Sequence, residues 1–450
     1  MLNNIGRRTE FYSVLIGIIS FFVSWMLRAD PYAPYKGITL NVNFPAHPHY
    51  DAVMKIIPDF EKETGIRVQV EQMQYLTMRK MQETELLKPR GRFDLIAFVV
   101  FSKADYVFND QIEPLARFFM TPSLADPYYE PSDIINSYVQ NIGVAGGHKG
   151  YLPGPTDALY GLPFGAETSI LAYRKDLFIK HGLRPPENYS ELLNLACKIP
   201  ELEPGIVGLS SRGQPGHHLS HAFLLHLAPL GGRVFDRYWN PTVNSPQAIR
   251  AVKTLKKILD CSPTDMNSYG LREAKNQFLF GRSAMYLDST VIAGEITDPE
   301  KSNVMGKVGW IKHPRGVRYA SQTGGFGLAI PKNAKHKDAA FLLMQWLTSK
   351  ETDKKIALAG GNPIRFSTHL NPDVLKKLPY LETFGKALND ADPDWRPIIP
   401  PWSKINILLG GYLSLAMEEG ADIQKLLNAA NQEIRGIMKE AGYFTYKGKH

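Results

Sequence analysis

An α/β protein of two domains is what this sequence predicts, and three observations predict it. The chain has 450 residues, more than one hydrophobic core normally organises. Its composition, 44% hydrophobic and 11% aromatic, is that of a packed chain and not of a disordered one. Beyond residue 37, strand-like and helix-like stretches alternate, the order of elements that builds α/β layers with mainly parallel pairing. The formal charge is +8, yet no block of five or six Lys or Arg occurs, so nucleic acid is not implied.

The N-terminal segment comes first. Arg7 and Arg8 precede Phe11 to Leu27, an uncharged run that ends at Arg28. Basic residues before an apolar run hold the N-terminus in the cytoplasm and send the rest across the membrane, which makes residues 1–29 an export signal. At ~1.5 Å per residue the run spans roughly 26 Å as a helix, the lower edge for crossing a bilayer. A cleaved signal peptide and an uncleaved membrane anchor both fit.

Ile38 to Phe44 reads as a strand. Asp51 then caps a helix carrying Val53, Ile56, Ile57 and Phe60 on one face and ending near Gly65, with Pro58 as a local objection. A strand at Arg67 to Gln72, a helical stretch at Thr77 to Leu87 and the apolar strand Phe93 to Phe101 follow. In such sheets ligands sit beyond the carboxyl ends of strands, here the segments His47 to Tyr50, Tyr75 to Thr77 and Ser102 to Asp105. A second series starts at Tyr160 and includes helices near Tyr189 to Lys198 and Ser245 to Leu259, a strand at Ala284 to Asp288, and strands at Val308 to Lys312 and Gly327 to Pro331. Helices at Lys337 to Leu347, Ile405 to Met417 and Ile423 to Ala441 complete the chain. Cys197 and Cys261 are too few for a four-thiolate zinc site. One long-range bridge and two buried thiols both fit them, and the packing habit of Cys as a small hydrophobe favours thiols.

Several blocks, in this order and spacing, carry a resemblance: DFEKETGIRVQV (Asp59 to Val70), FDLIAF (Phe93 to Phe98), YGLPFGAETSILAYRKDLF (Tyr160 to Phe178), NYSELLNLACKI (Asn188 to Ile199), FLFGRSAMYLDST (Phe278 to Thr290), AAFLLMQWLTSKE (Ala339 to Glu351) and GGNPIRFS (Gly360 to Ser367). Together they resemble the extracytoplasmic solute-binding proteins of ATP-binding-cassette importers, in the large sugar-binding family. SRGQPG (Ser211 to Gly216), GGRVFD (Gly231 to Asp236) and GGFGLAIP (Gly324 to Pro331) are similar to signatures of its polyol-type members.

The resemblance implies an α/β two-lobe periplasmic-binding-protein fold of type II, with the ligand cleft between lobes. By it, residues 37–164 plus 289–348 form lobe one and 165–288 plus 349–443 form lobe two, and the crossings between them supply cleft residues. It implies a carbohydrate or polyol as solute, ABC-importer permease subunits as membrane partners, a periplasmic or otherwise extracytoplasmic location, and no cofactor.

A carbohydrate offers hydroxyls that donate and accept, plus an apolar C–H face, so its site needs carboxylates, amides, Arg and aromatic plates. Glu167 at the first crossing is the leading acceptor; a solvated or interlobe-paired carboxylate is the competing role. Asp288 closes an apolar strand at an expected second crossing, where an isolated acid needs a partner; it competes with a cap on the next helix through Ser289 and Thr290. Arg212 and Arg365 offer rigid donor forks for vicinal hydroxyls, or for a lobe carboxylate. Phe164, Phe326 and Trp402 are candidate stacking plates that would otherwise be core. The chain departs from the polyol-type pattern at His217, His218, Leu219 and Ser220, at Phe326 where that pattern has Trp, and in the loop AHPHY.

Two rival readings come from the residues. GHHLSHAFLLHL sets His217 and His221 one helical turn apart, with His218 and His226 on the same segment, so a metal receptor is one alternative. A binding protein presenting solute to a chemoreceptor or sensor kinase is the other. No GxSxG, HExxH or GxxxxGK[ST] is present, and we expect no enzyme.

Overall fold

The alternation of strands and helices closes into two mixed sheets in a computed structural model that describes residues 30–146 and 157–443. The strands are β1 (Thr39–Pro45), β2 (Arg67–Met73), β3 (Leu95–Val99), β4 (Val144–Ala145), β5 (Ala158–Leu159), β6 (Leu162–Glu167), β7 (Ser169–Arg174), β8 (Val207–Ser210), β9 (Ser283–Ser289), β10 (Val308–Lys312) and β11 (Gly324–Ala329). The first sheet has the order β2-β1-β3-β11-β6 and the second β10-β7-β9-β8, with β4 and β5 forming a ribbon. The export segment lies outside the described residues. Among those described, no helix is long and apolar enough to cross a membrane.

The expected parallel pairing holds only in part. β1 pairs parallel with β2 and β3, and β8 with β9, whereas β11 runs antiparallel to β3 and β6, and β7 antiparallel to β9 and β10. One reversed strand per sheet accounts for this, and each is the strand entered directly from the other lobe. β1, β2 and β3 are joined by helical crossovers, which return the chain to the same end of the sheet and force parallel pairing. A crossing delivers the chain at the cleft end instead, so β7 and β11 run away from the cleft.

The same topology moves a boundary. Val308–Lys312, placed in lobe one by the boundaries above, pairs residue for residue with β7 of the second sheet. The crossing expected at Asp288 therefore falls at residues 313–323. Arg365 of the supposed second lobe is held by first-lobe groups at Tyr129 and Glu130. The two crossings are tied together: Thr168 Oγ1 donates to the Gln322 carbonyl at 3.0 Å and the Gln322 N–H donates to Ser169 Oγ at 3.0 Å.

Local sequence explains the elements that frame the cleft. The helix Pro48–Thr64 starts three residues before Asp51 because Pro48 occupies its first turn and His47 caps it, Nδ1 accepting from the His49 N–H at 3.2 Å. Pro58 is accommodated inside it, and Gly65 ends it at φ 73°. In the second lobe Cys197 and Cys261 are joined as a disulfide, which corrects the preference for free thiols. The bridge fastens the helix Tyr189–Leu202 to the residue closing the helix Pro246–Asp260. The apolar helices Trp402–Met417 and His217–Leu227 pack on each other and leave the N-terminus of the second at the cleft.

Candidate ligand cleft

Between the sheets lies a cavity of about 660 Å³. The first lobe contributes His47, Gln74, Tyr75, Phe101, Glu167, Gln322 and Phe326; the second contributes Arg212, Gln214, His217, His218, His221, Glu273 and Lys275, with Arg396 from the late chain. Strand ends place most of these, as the rule for α/β sheets requires.

Arg212 follows β8, and the parallel register of Val207 with Ser283 through Ser210 with Tyr286, continued two residues, sets it opposite Asp288. Its Nε and Nη2 donate to the two carboxylate oxygens of Asp288 at 2.7 and 2.6 Å, a bidentate pair that is almost wholly buried. Burial alone would raise the Asp288 pKa; Arg212 and His221 outweigh it and hold the carboxyl well below the usual range. Arg212 lines the cavity while Asp288 stands behind it. The Asp288 side chain therefore holds Arg212 in position, a different role from the direct solute contact first expected.

His221 joins the same group. Its Nδ1 accepts from Arg396 Nη2 at 3.1 Å, so the ring proton resides on Nε2, which lies 3.3 Å from Asp288 Oδ1 without the alignment of a hydrogen bond. Burial, then Arg212, lowers the His221 pKa to about 3, so the ring is neutral. Burial lowers His218 to about 4 and drives His217 well below the ordinary value.

Glu167, at the end of β6, lines the cavity as expected. One oxygen is 3.0 Å from His47 Nε2 and the other accepts from the Ser289 hydroxyl. Burial pushes its pKa up, but these partners prevail and keep it below the ordinary value. A bulge where Gly325 adopts φ 98° brings Phe326 to the cavity, its ring 5.1 Å from that of His47. A side chain at Gly325 would collide with the Gly165 carbonyl at 2.2 Å.

Three expected residues are elsewhere. Arg365 is fully buried in the first lobe, its Nε, Nη1 and Nη2 donating to the carbonyls of Thr348, Glu130 and Tyr129 at 2.7, 3.0 and 2.9 Å. It bridges chain segments within that lobe and does not line the cavity. Phe164 sits in the core, edge-on to His49 at 4.6 Å. Trp402 is 2% exposed and opens a helix whose apolar face is core. Arg365→Met should cost about 2 to 3 kcal/mol of stability, since three carbonyls and the Asp133 carboxylate, 3.3 Å from Nη1, lose a charged donor, with solute affinity unchanged. Urea melts and calorimetric titration of that variant check both halves.

The metal arrangement is not found. His217 Nδ1 meets Asn406 Nδ2 at 2.9 Å, His221 serves Arg396, and His226 Nδ1 faces the Tyr189 hydroxyl at 3.1 Å. Among the described residues no three His, Cys, Asp or Glu are grouped to hold a metal ion. His47, Tyr75, Gln322 and Arg396 were missed as individual site residues. The strand-end rule had marked the segments of the first two, but Arg396 lies in a loop between Trp395 and Pro397 with no periodic pattern to flag it.

Two α/β lobes facing one polar cleft across short crossings define a protein that encloses a small solute. Residues 46–354 match the model of the bacterial extracellular solute-binding proteins, and the chain belongs to that family. It is 29% identical to the mannitol-binding protein of Pseudomonas aeruginosa over 81% of this chain and 85% of that protein. It is 23% identical to the erythritol/L-threitol-binding protein of Mycolicibacterium smegmatis over 80% and 78% of the two chains. Among solved structures, an ABC transporter solute-binding protein of Agrobacterium radiobacter in complex with ribitol superposes with a TM-score of 0.79 at 26% identity, covering 89% of this chain and 99% of that one.

Proposed function

We propose that this protein captures a polyol or small sugar in the cleft, outside the cytoplasmic membrane, and delivers it unchanged to the permease of an ABC importer. The observation that carries the reading is the cavity itself: acceptor and donor groups from both lobes, Glu167 and Gln322 against Arg212, Gln214 and His217, with Tyr75 and Phe326 as apolar plates. That mixture suits hydroxyls on a short carbon chain. The mannitol, erythritol/L-threitol and ribitol ligands named for the relatives support the same class. Arg7, Arg8 and the apolar run after them support export.

In this proposal Arg212, Glu167 and Phe326 touch the solute and Asp288 acts through Arg212. Closure follows from the solute bridging groups of both lobes, since a ligand shifts an equilibrium only through contacts made better in one state. A thermal-shift screen with ribitol, mannitol, erythritol and common hexoses tests it. At 100 times its Kd a true solute adds about 2.7 kcal/mol of apparent stability, and the recovered compound should be chemically unaltered. No shift with any polyol or sugar, or conversion of one into a product, would overturn the reading.

A further inference from the structure

We infer that the solute carries an anionic group, a carboxylate or a phosphate at one end of a polyhydroxylated chain, and that Arg396 receives it together with the N-terminus of the helix His217–Leu227. The inference deepens the function proposed above and rests on it.

The other cations around the cleft each sit beside a carboxylate; Arg396 does not. Arg212 is bound by Asp288, Lys275 Nζ lies 2.6 Å from Glu295 Oε2, and Arg272 Nε lies 3.0 Å from Glu273 Oε1. Both oxygens of Glu167 are engaged, by His47 and Ser289. Arg396, 6% exposed, has no carboxylate within ion-pair distance among the described residues. Among the described residues its one hydrogen bond goes from Nη2 to the imidazole of His221, and its guanidinium carbon lies 4.7 Å from the ring centre of Trp395 and 5.6 Å from that of Phe101. Ring faces offset part of the desolvation of a cation, but among the described residues Nε and Nη1 meet no acceptor. Burial and the neighbouring Arg212 lower its pKa only to about 10, so it stays charged at neutral pH.

A second, independent feature meets it there. The helix His217–Leu227 begins at Gly216, which provides no side-chain cap, and no acid stands in its first turn. His217 and His218, whose N–H groups open that helix, line the same cavity as Arg396, and the His217 ring is 6.0 Å from Phe101. The Leu219 N–H of the first turn donates to the Gln214 carbonyl at 2.9 Å, which leaves those of His217 and His218 and the partial positive charge of the helix start. A buried guanidinium beside it makes the corner of the cleft that an oxyanion fits: a fork from Nε and Nη1 plus backbone donors. Glu167 lines the same cavity but forms no ion pair with Arg396, so a neutral polyol would leave this enclosed cation without a direct ionic partner, which is costly.

Calorimetric titration of the full chain in phosphate-free and sulfate-free buffer tests the inference with matched sets on one skeleton each: ribitol, ribonate and ribitol 5-phosphate; mannitol, mannonate and mannitol 1-phosphate. In the set that binds, the anionic member should be at least about 10-fold tighter than its neutral match. Which anionic member gains identifies carboxylate or phosphate as the group. Arg396→Gln should bring the ratio close to one, and added salt should weaken the anionic member selectively. Because the comparison within the unaltered protein needs no variant, a folding defect in Arg396→Gln leaves the test intact. A neutral member binding as tightly as its anionic matches overturns the inference and leaves the polyol reading standing. No binding in any set, by a chain shown to be folded from its melting, overturns both.

Discussion

Asp288→Ala should abolish measurable solute binding and cost about 3 to 5 kcal/mol of stability, the range for removing one partner of a buried ion pair. The size follows from what remains. Arg212, 4% exposed, would keep its charge with no carboxylate to receive Nε and Nη2. The Ser289 N–H, which donates to Asp288 Oδ1 at 2.6 Å, would lose its acceptor as well, next to the hydroxyl that holds Glu167. A pair this deep is a poor source of net stability, because desolvating both ions consumes most of their attraction. The double change Arg212→Met with Asp288→Leu should accordingly recover most of the loss in a urea melt while restoring no binding. That contrast separates a pair kept for the cleft from one kept for the fold. A single Asp288→Ala variant with unaltered stability would show that Arg212 finds another partner and that the pair does not shape the site.

How far the sequence reaches is seen by following particular residues. Strands such as Ile38 to Phe44 were legible because alternation and apolar runs are local. Their carboxyl ends pointed to the segments beginning at His47 and Tyr75, both of which line the cavity. Glu167 was legible because it sits on a crossing, and Phe326 because it stands where the resembled pattern has a Trp. Asp288 was legible as an acid needing a partner, but not which side of Arg212 the cleft would lie on; that depends on a register between β8 and β9 that no local pattern encodes. Arg365 and Arg396 show the limit most clearly. Each is an Arg in an irregular stretch between elements, and each is buried. Only long-range packing makes one a clasp for the back of a lobe and the other a wall of the cleft. The reversed strands β7 and β11 were hidden for the same reason, since direction depends on which end of the sheet a crossing reaches.

Acidification from pH 7 to pH 5 should lower the stability of the unliganded protein by about 5 kcal/mol, through histidines held neutral in the second lobe and at the crossings. Burial lowers His221 and His313 to about 3, and His226 and His218 to about 4. For each, the unfolded chain, with an ordinary value near 6.5, binds a proton that the folded chain refuses over the interval between the two values. Stability is therefore full above about pH 6.5 and falls as pH drops toward the folded values, by about 2 kcal/mol for each fully buried histidine at pH 5 and about 1 kcal/mol for the partly exposed, solvent-screened His218. Two acids oppose this. Burial raises Asp105 and Asp353 to about 6, so the folded chain takes up their protons first and each returns about 1 kcal/mol over the same range. Asp288 is silent in this window, because its folded value is depressed and its contribution is lost only below the ordinary carboxylate range. Urea melts at pH 7, 6 and 5 read the slope. His226→Gln, which keeps a polar group near the Tyr189 hydroxyl, should flatten it by about 2 kcal/mol. Stability that stays level or rises on acidification would mean that these imidazoles accept protons in the folded state. In that case the neutral His221 that accepts from Arg396 could not be the form present at the cleft.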